Sequence, residues 1–154
     1  MVQVRNFFFE NFLTLKKIAR EYSKDFVSNY LDVIYGAATH NAELVYSASV
    51  KMGFLTGEEG KDMKEAHVGA VMIVGEPFAA KGAFDFGSAN MTARIYEKIP
   101  HMVKNRLRPP PQEVYSLHRI LSGAFLACMK LKARVHVGKI FKEVYTNALP
   151  DLKS

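Results

Sequence analysis

The chain has 154 residues, a net charge of +6 and 49% apolar residues, enough for one packed core and too apolar for a disordered chain. Its single cysteine, Cys128, excludes an intrachain disulfide and a cysteine-rich zinc site, and no apolar run approaches the ~18–20 residues of a membrane-spanning helix. Residues 98–142 carry ten Lys/Arg against one acid, Glu113, a net +9, whereas residues 1–97 come to −2; such asymmetry suits an anionic partner for the C-terminal half, or equally a cationic face that merely keeps the domain soluble.

Phospholipid, nucleic acid and an acidic protein all fit that charge. Nucleic acid ranks lowest, because no aromatic residues interleave with the basic ones as a stacking platform requires. Met1 to Arg20 holds four Lys/Arg against Glu10, with Phe7, Phe8, Phe9, Phe12 and Leu13. An acid-poor amphipathic start of this kind suits a mitochondrial presequence. It equally suits a strand and turn of the folded domain.

From Ser23 onward the pattern is helical. Ser23 is placed to cap a helix whose apolar side is Phe26, Tyr30, Val33, Ile34 and Ala37. Asn41 caps a second, with Leu44, Val45, Ala48 and Met52 on one side and Gly53 as its stop. Thr56 and Glu59 form a capping-box pair for a third, lined by Met63, Ala66, Ala70, Ile73 and Val74 and ended at Gly75. Residues 76–88, rich in Gly, Pro and Phe, read as a loop. A short helix follows from about Met91 to Lys98, interrupted or restarted by Pro100. Pro109 to Pro111 make a stiff spacer. The longest helix then runs from Gln112 to Leu131, with Val114, Leu117, Leu121, Phe125 and Leu126 inward, and its Tyr115 to Cys128 portion is expected to be buried and central. Gly138 precedes a last helix bearing Ile140, Phe141, Val144 and Tyr145. One compact all-α unit follows, with residues 23–149 as the helical lobe and 150–154 as a tail.

No catalytic constellation emerges from residue types alone. Asp85-Phe86-Gly87 spells the kinase metal motif, but no Gly-rich phosphate loop, strand lysine or catalytic loop precedes it. The plainer reading makes Phe84 and Phe86 loop anchors and Gly87 a turn residue. The five histidines, His40, His67, His101, His118 and His136, lack metal-ligand spacing; His67 and His118 read as packed helix residues. Ser116 and His118, two apart, face different sides of a helix and make no nucleophile–base pair. Cys128 reads as a small buried hydrophobe, and Glu58 and Glu59 as first-turn helix acids.

Longer phrases are more specific. Phe54-Leu55-Thr56-Gly57, the run Ala66 to Phe78, Phe84-Asp85-Phe86-Gly87, Ile99-Pro100, Arg106 to Arg119 and Ser122 to Cys128 occur in this order. Together they resemble the C-terminal lobe of the mitochondrial coenzyme Q kinases of the aarF-domain-containing (UbiB) family, from about Arg20 to Tyr145. The resemblance implies the helical lobe of a protein-kinase-like fold, with the N-terminal lobe outside these residues. It implies an atypical kinase or ATPase supporting ubiquinone synthesis, with ATP and Mg as the intact family's cofactors. The implied partners are the coenzyme Q biosynthetic enzymes and an anionic membrane surface, on the matrix face of the inner mitochondrial membrane.

Asn6-Phe7-Phe8-Phe9 resembles the end of the family's catalytic loop, where the asparagine binds magnesium. That match favours reading residues 1–22 as a remnant of the catalytic-loop and metal-loop region. Arg20-Glu21-Tyr22 resembles the segment after the family's metal-binding Asp-Phe-Gly, whose aspartate would fall at Leu15. The alanine-rich phosphate loop, the lysine and glutamate, the Lys-x-Gly-Gln extension and the catalytic aspartate are missing. No catalytic or nucleotide-binding residue is assigned, and Asn6 stands as an orphaned magnesium ligand. Fragment, truncated product and degenerate paralogue all remain open, as does a catalytically dead module that binds protein partners or anionic lipid.

Overall fold

The computed structural model describes residues 22–153. Asn6, Leu15 and the rest of the expected remnant up to Glu21 lie outside the described residues. Among the described residues the chain is helical apart from one two-residue strand pair. The order is α1 (Lys24–Ala38), α2 (Ala42–Lys51), α3 (Lys61–Ala79), β1 (Phe84–Asp85), α4 (Met91–Tyr96), α5 (Ile99–Asn105), α6 (Gln112–Lys130), β2 (Arg134–Val135) and α7 (Val137–Lys153).

The first two helices start where the sequence placed them. Ser23 Oγ accepts from Phe26 N–H at 3.2 Å and Asn41 Oδ1 from Leu44 N–H at 3.0 Å, each satisfying a donor that the first turn leaves free. Gly53 stops α2 with φ +79, a conformation glycine adopts without a Cβ clash.

The third helix departs from expectation at both ends. It begins at Lys61 with Gly60 as an unassisted cap. The Thr56–Glu59 pair forms, but in the turn ahead of the helix: Glu59 Oε1 accepts from Thr56 N–H at 2.6 Å and Thr56 Oγ1 at 2.9 Å. Glu58 and Glu59 are therefore loop residues, not first-turn acids. At the other end α3 runs through Gly75 and Pro77 to Ala79. Gly75 does not end the helix because it serves packing: a Cβ there would collide with Ala37 of α1. Residues 76–88 are thus part helix and part strand rather than one loop.

Pro100 restarts the chain as α5, where a first-turn proline loses no hydrogen bond. Pro111 is extended, with φ −57 and ψ 148, ahead of α6. The strand pair is antiparallel, with Phe84 opposite Val135 and Asp85 opposite Arg134. Val137, which is buried, opens α7 one residue before Gly138, and α7 continues through Pro150 to Lys153. Residues 150–153 are accordingly its last turn rather than a separate tail.

Two apolar clusters form the core. One gathers Val33, Ala48, Met52, Phe54, Leu55, Met63 and Val114. The other gathers Ile73, Phe86, Met91, Phe125, Cys128 and Val137. Helix α3 contributes to both, and so does α6, through Val114 at one end and Phe125 and Cys128 at the other. Among the described residues that edge of α6 is the buried one. Tyr115 and Leu126 are 55% and 49% exposed, so the helix is amphipathic and peripheral rather than buried and central. Leu126 faces outward because it lies one residue, about 100°, from Phe125.

Candidate functional site

Phe54, buried between α2 and α3, is the point where separate parts of the sequence meet. Its ring lies 4.6 Å from the His67 ring of α3 and 6.2 Å from the His118 ring of α6. The Arg106 guanidinium stands over it at 6.0 Å, within cation–π reach. Beside it, Arg108 packs on Gly53, where a Cβ would strike the guanidinium. Glycine at 53 therefore serves both the left-handed stop and this arginine.

His67 is the polar centre of the junction. It is 3% exposed, and its Nε2 shares a 2.9 Å hydrogen bond with Ser49 Oγ of α2. Its Nδ1 has no partner among the described residues. Burial first, and then the neighbouring His118, push its pKa down from 6.5 to about 4, so the ring is neutral at physiological pH. Serine and histidine here join two helices. With Ser49 0% exposed, no substrate reaches the pair. His118, read from sequence as a packed residue, is partly exposed, but its ring lies 6.4 Å from the Tyr30 ring and burial lowers its pKa.

The adjoining turn is also self-contained. Glu59 accepts from Gly57 N–H at 2.9 Å in addition to Thr56. Burial raises its carboxyl pKa, but these donors outweigh it and hold the group below its ordinary value.

Asp85-Phe86-Gly87 takes the plainer of its two readings. Asp85 Oδ1 accepts from Gly87 N–H at 2.9 Å and Ser88 N–H at 3.3 Å, and its Oδ2 lies 3.9 Å from Arg134 Nε. Phe86 is 1% exposed and stacks edge-on with Phe84 at 4.9 Å. The carboxylate closes a turn and the phenylalanine fills the core. Cys128 is buried, and burial raises its thiol pKa, which suits a hydrophobe and not a nucleophile.

No protein-family model matches the chain. Curated relatives do. The mitochondrial atypical kinase COQ8B of Rattus norvegicus is 45% identical over 127 residues, which is 82% of this chain and 24% of the rat protein. COQ8B of Danio rerio is 44% identical over 145 residues, 91% of this chain and 23% of the fish protein. The mitochondrial atypical kinase COQ8 of Saccharomyces cerevisiae is 41% identical over 129 residues, 82% of this chain and 26% of the yeast protein. The chain belongs to the COQ8 atypical kinase family. It spans about a quarter of the length of these relatives.

Within this COQ8-family segment, the phrases Phe54–Gly57, Ala66–Phe78 and Arg106–Arg119 converge on the Phe54 junction. Among the described residues no three His, Cys, Asp or Glu side chains come together to hold a metal. These residues do not fit a magnesium site by themselves. Sequence reasoning missed the Ser49–His67 bond and the Glu76–Arg94 pair, in which Arg94 Nη1 and Nη2 donate to both Glu76 oxygens at 2.8 and 2.5 Å. The first was findable: Ser49 follows Ala48 on the covered side of α2, and His67 follows Ala66 on that of α3. The second joins residues 18 apart on different helices and left no local signal.

Proposed function

We propose that this chain supplies the helical lobe of an atypical kinase or ATPase that supports coenzyme Q biosynthesis. Its setting is the matrix face of the inner mitochondrial membrane, beside the enzymes that modify the coenzyme Q head group. The observation that carries this reading is the 41–45% identity to COQ8 proteins over 82–91% of the chain. Three of its phrases, Phe54–Gly57, Ala66–Phe78 and Arg106–Arg119, meet at the Phe54 junction, which supports a lobe framework rather than a loose motif. ATP and Mg belong to the intact family, and Asn6 is the residue proposed for magnesium.

The test is a chimera. Residues 22–153 replace the corresponding segment of the Saccharomyces cerevisiae COQ8 protein, and cellular coenzyme Q is measured in a strain lacking the native protein. Restored coenzyme Q supports the reading. A chimera that accumulates stably yet restores none overturns it.

The second reading is a non-catalytic helical module that binds protein or anionic lipid, favoured by the net +9 of residues 98–142. A Mg-ATP titration of the isolated 154-residue chain tests whether this chain by itself binds nucleotide. No measurable binding is the expected result, because one asparagine cannot complete the octahedron that Mg requires. Micromolar affinity would contradict it.

A further inference from the structure

At the start of α1 the surface opens into a recess of about 490 Å³, set between α1, the end of α2 and the start of α6. Its apolar side includes Tyr22, Phe26 and Met52. The Tyr22 ring stacks on Phe26 at 5.4 Å, and Phe26 on Tyr30 at 6.2 Å. Tyr30 in turn meets the His118 ring beside the Phe54 junction. The recess is thus the outer end of a row of rings that leads into the core.

The polar side of the recess carries more acid than base. Asp25 and Glu113, first-turn residues of α1 and α6, both line it against one cation, Lys51. None of the three forms an ion pair among the described residues. Tyr22 is itself a wall of the recess, so the chain that precedes it leaves from the mouth. That preceding stretch has the complementary composition. Residues 12–17 hold Phe12, Leu13, Leu15, Lys16 and Lys17, and residues 12–20 contain no acid.

We propose that residues 12–17 of this same chain dock in the recess, with Phe12 and Leu13 against Phe26 and Met52, and Lys16 and Lys17 beside Asp25 and Glu113. The tether favours this occupant over a foreign peptide. Lys17 and Phe12 stand five and ten residues before Tyr22. A short flexible tether holds a segment at about millimolar effective concentration, without the association cost that a free peptide meets. Exposed ion pairs are individually weak, and at that concentration they suffice when apolar burial adds to them. The docked segment caps the row of rings and shields the apolar side of the recess from water. It gives the stretch before Tyr22 a role in this lobe that needs no magnesium. The contact is internal to the chain and independent of the coenzyme Q reading, so it is read separately from the chimera.

The chain has no tryptophan, so Phe12→Trp in the full chain places a single reporter. Its emission is expected to be blue-shifted, and shielded from acrylamide, relative to the same chain in urea. In that background Asp25→Asn/Glu113→Gln should raise quenching toward the unfolded level. Lys16→Gln/Lys17→Gln should do the same, and it leaves α1 and α6 unaltered, so it decides the matter if the first pair loses helix by circular dichroism. Added salt should act in the same direction. Carbodiimide coupling, which joins an amine to a carboxylate in contact with it, should link Lys16 or Lys17 to Asp25 or Glu113 within the monomer. Three results overturn the proposal: a tryptophan as exposed in the native chain as in urea, quenching that Lys16→Gln/Lys17→Gln leaves unchanged, or coupling of Lys16 and Lys17 only to other acids. Coupling to Asp25 and Glu113 that occurs only between two copies overturns it as well.

Discussion

The two core clusters are held together differently. The cluster around Phe54 draws almost all its members from α1, α2, the following turn and the start of α3, with Val114 added from afar. The cluster around Phe86 takes members from α3, the loop after β1, α4, α6 and the start of α7. Its rings form an unbroken series. Phe86 meets Phe125 at 5.3 Å, Phe125 meets Phe78 at 6.1 Å, and Phe78 meets Phe141 at 5.3 Å; Tyr145 then stacks on Tyr35 of α1 at 4.6 Å. The first cluster is local and contains a buried polar pair. The second is long-range and aromatic. A substitution in the second should therefore loosen distant elements together, whereas one in the first should act on a compact unit.

The largest effect is expected from Phe86→Ala, at about 3–5 kcal/mol in chemical denaturation, because a fully buried ring is removed. Near-neutral stability for this variant would remove the contrast between the clusters. Next comes pH. His67 titrates at 6.5 when unfolded and at about 4 when folded, so the folded chain resists its protonation. Stability is fully present above pH 6.5 and falls as pH drops through 6.5 toward 4, by up to roughly 3 kcal/mol. A pH series of urea midpoints checks this, and His67→Gln should flatten the slope over that window. An unchanged slope would assign the acid sensitivity elsewhere.

Ser49→Ala, which leaves the buried imidazole without its hydrogen bond, should cost about 1–3 kcal/mol in the same assay. Arg94→Ala removes a bidentate pair that is 42% and 31% exposed, and solvent screening limits the loss to at most about 1 kcal/mol. Smallest of all, Asp85→Asn keeps an oxygen for the Gly87 and Ser88 N–H groups and should change stability by about 0.5 kcal/mol or less. In the COQ8 chimera it should leave coenzyme Q at the parent level. A loss of coenzyme Q with Asp85→Asn, at unchanged stability, would restore the metal-motif reading of Asp85-Phe86-Gly87.

Legibility followed the same division. Ser23 and Asn41 mark helix starts through their side-chain oxygens and Gly53 marks a stop through its backbone, and the structure has them in those roles. The stripes of α1 and α2 follow from period alone. Gly75 misled because a glycine that stops a helix and one that admits a neighbouring helix look alike in sequence. Leu126 misled because a hydrophobic residue adjacent to Phe125 was counted on the same side. The candidate site was legible only in pieces. His67 read correctly as a packed residue, but its tie to Ser49 and the gathering of Arg106 and Arg108 on Phe54 and Gly53 cross between elements.

By itself, then, the sequence determined that the chain is helical, where its first helices begin, and to which kinase family it belongs, since caps, periods and phrases are local properties. Only the tertiary structure decided that Asp85 closes a turn and that α6 lies at the periphery. Periodicity records which face of a helix is apolar. Whether another element covers that face depends on contacts between residues far apart in the chain.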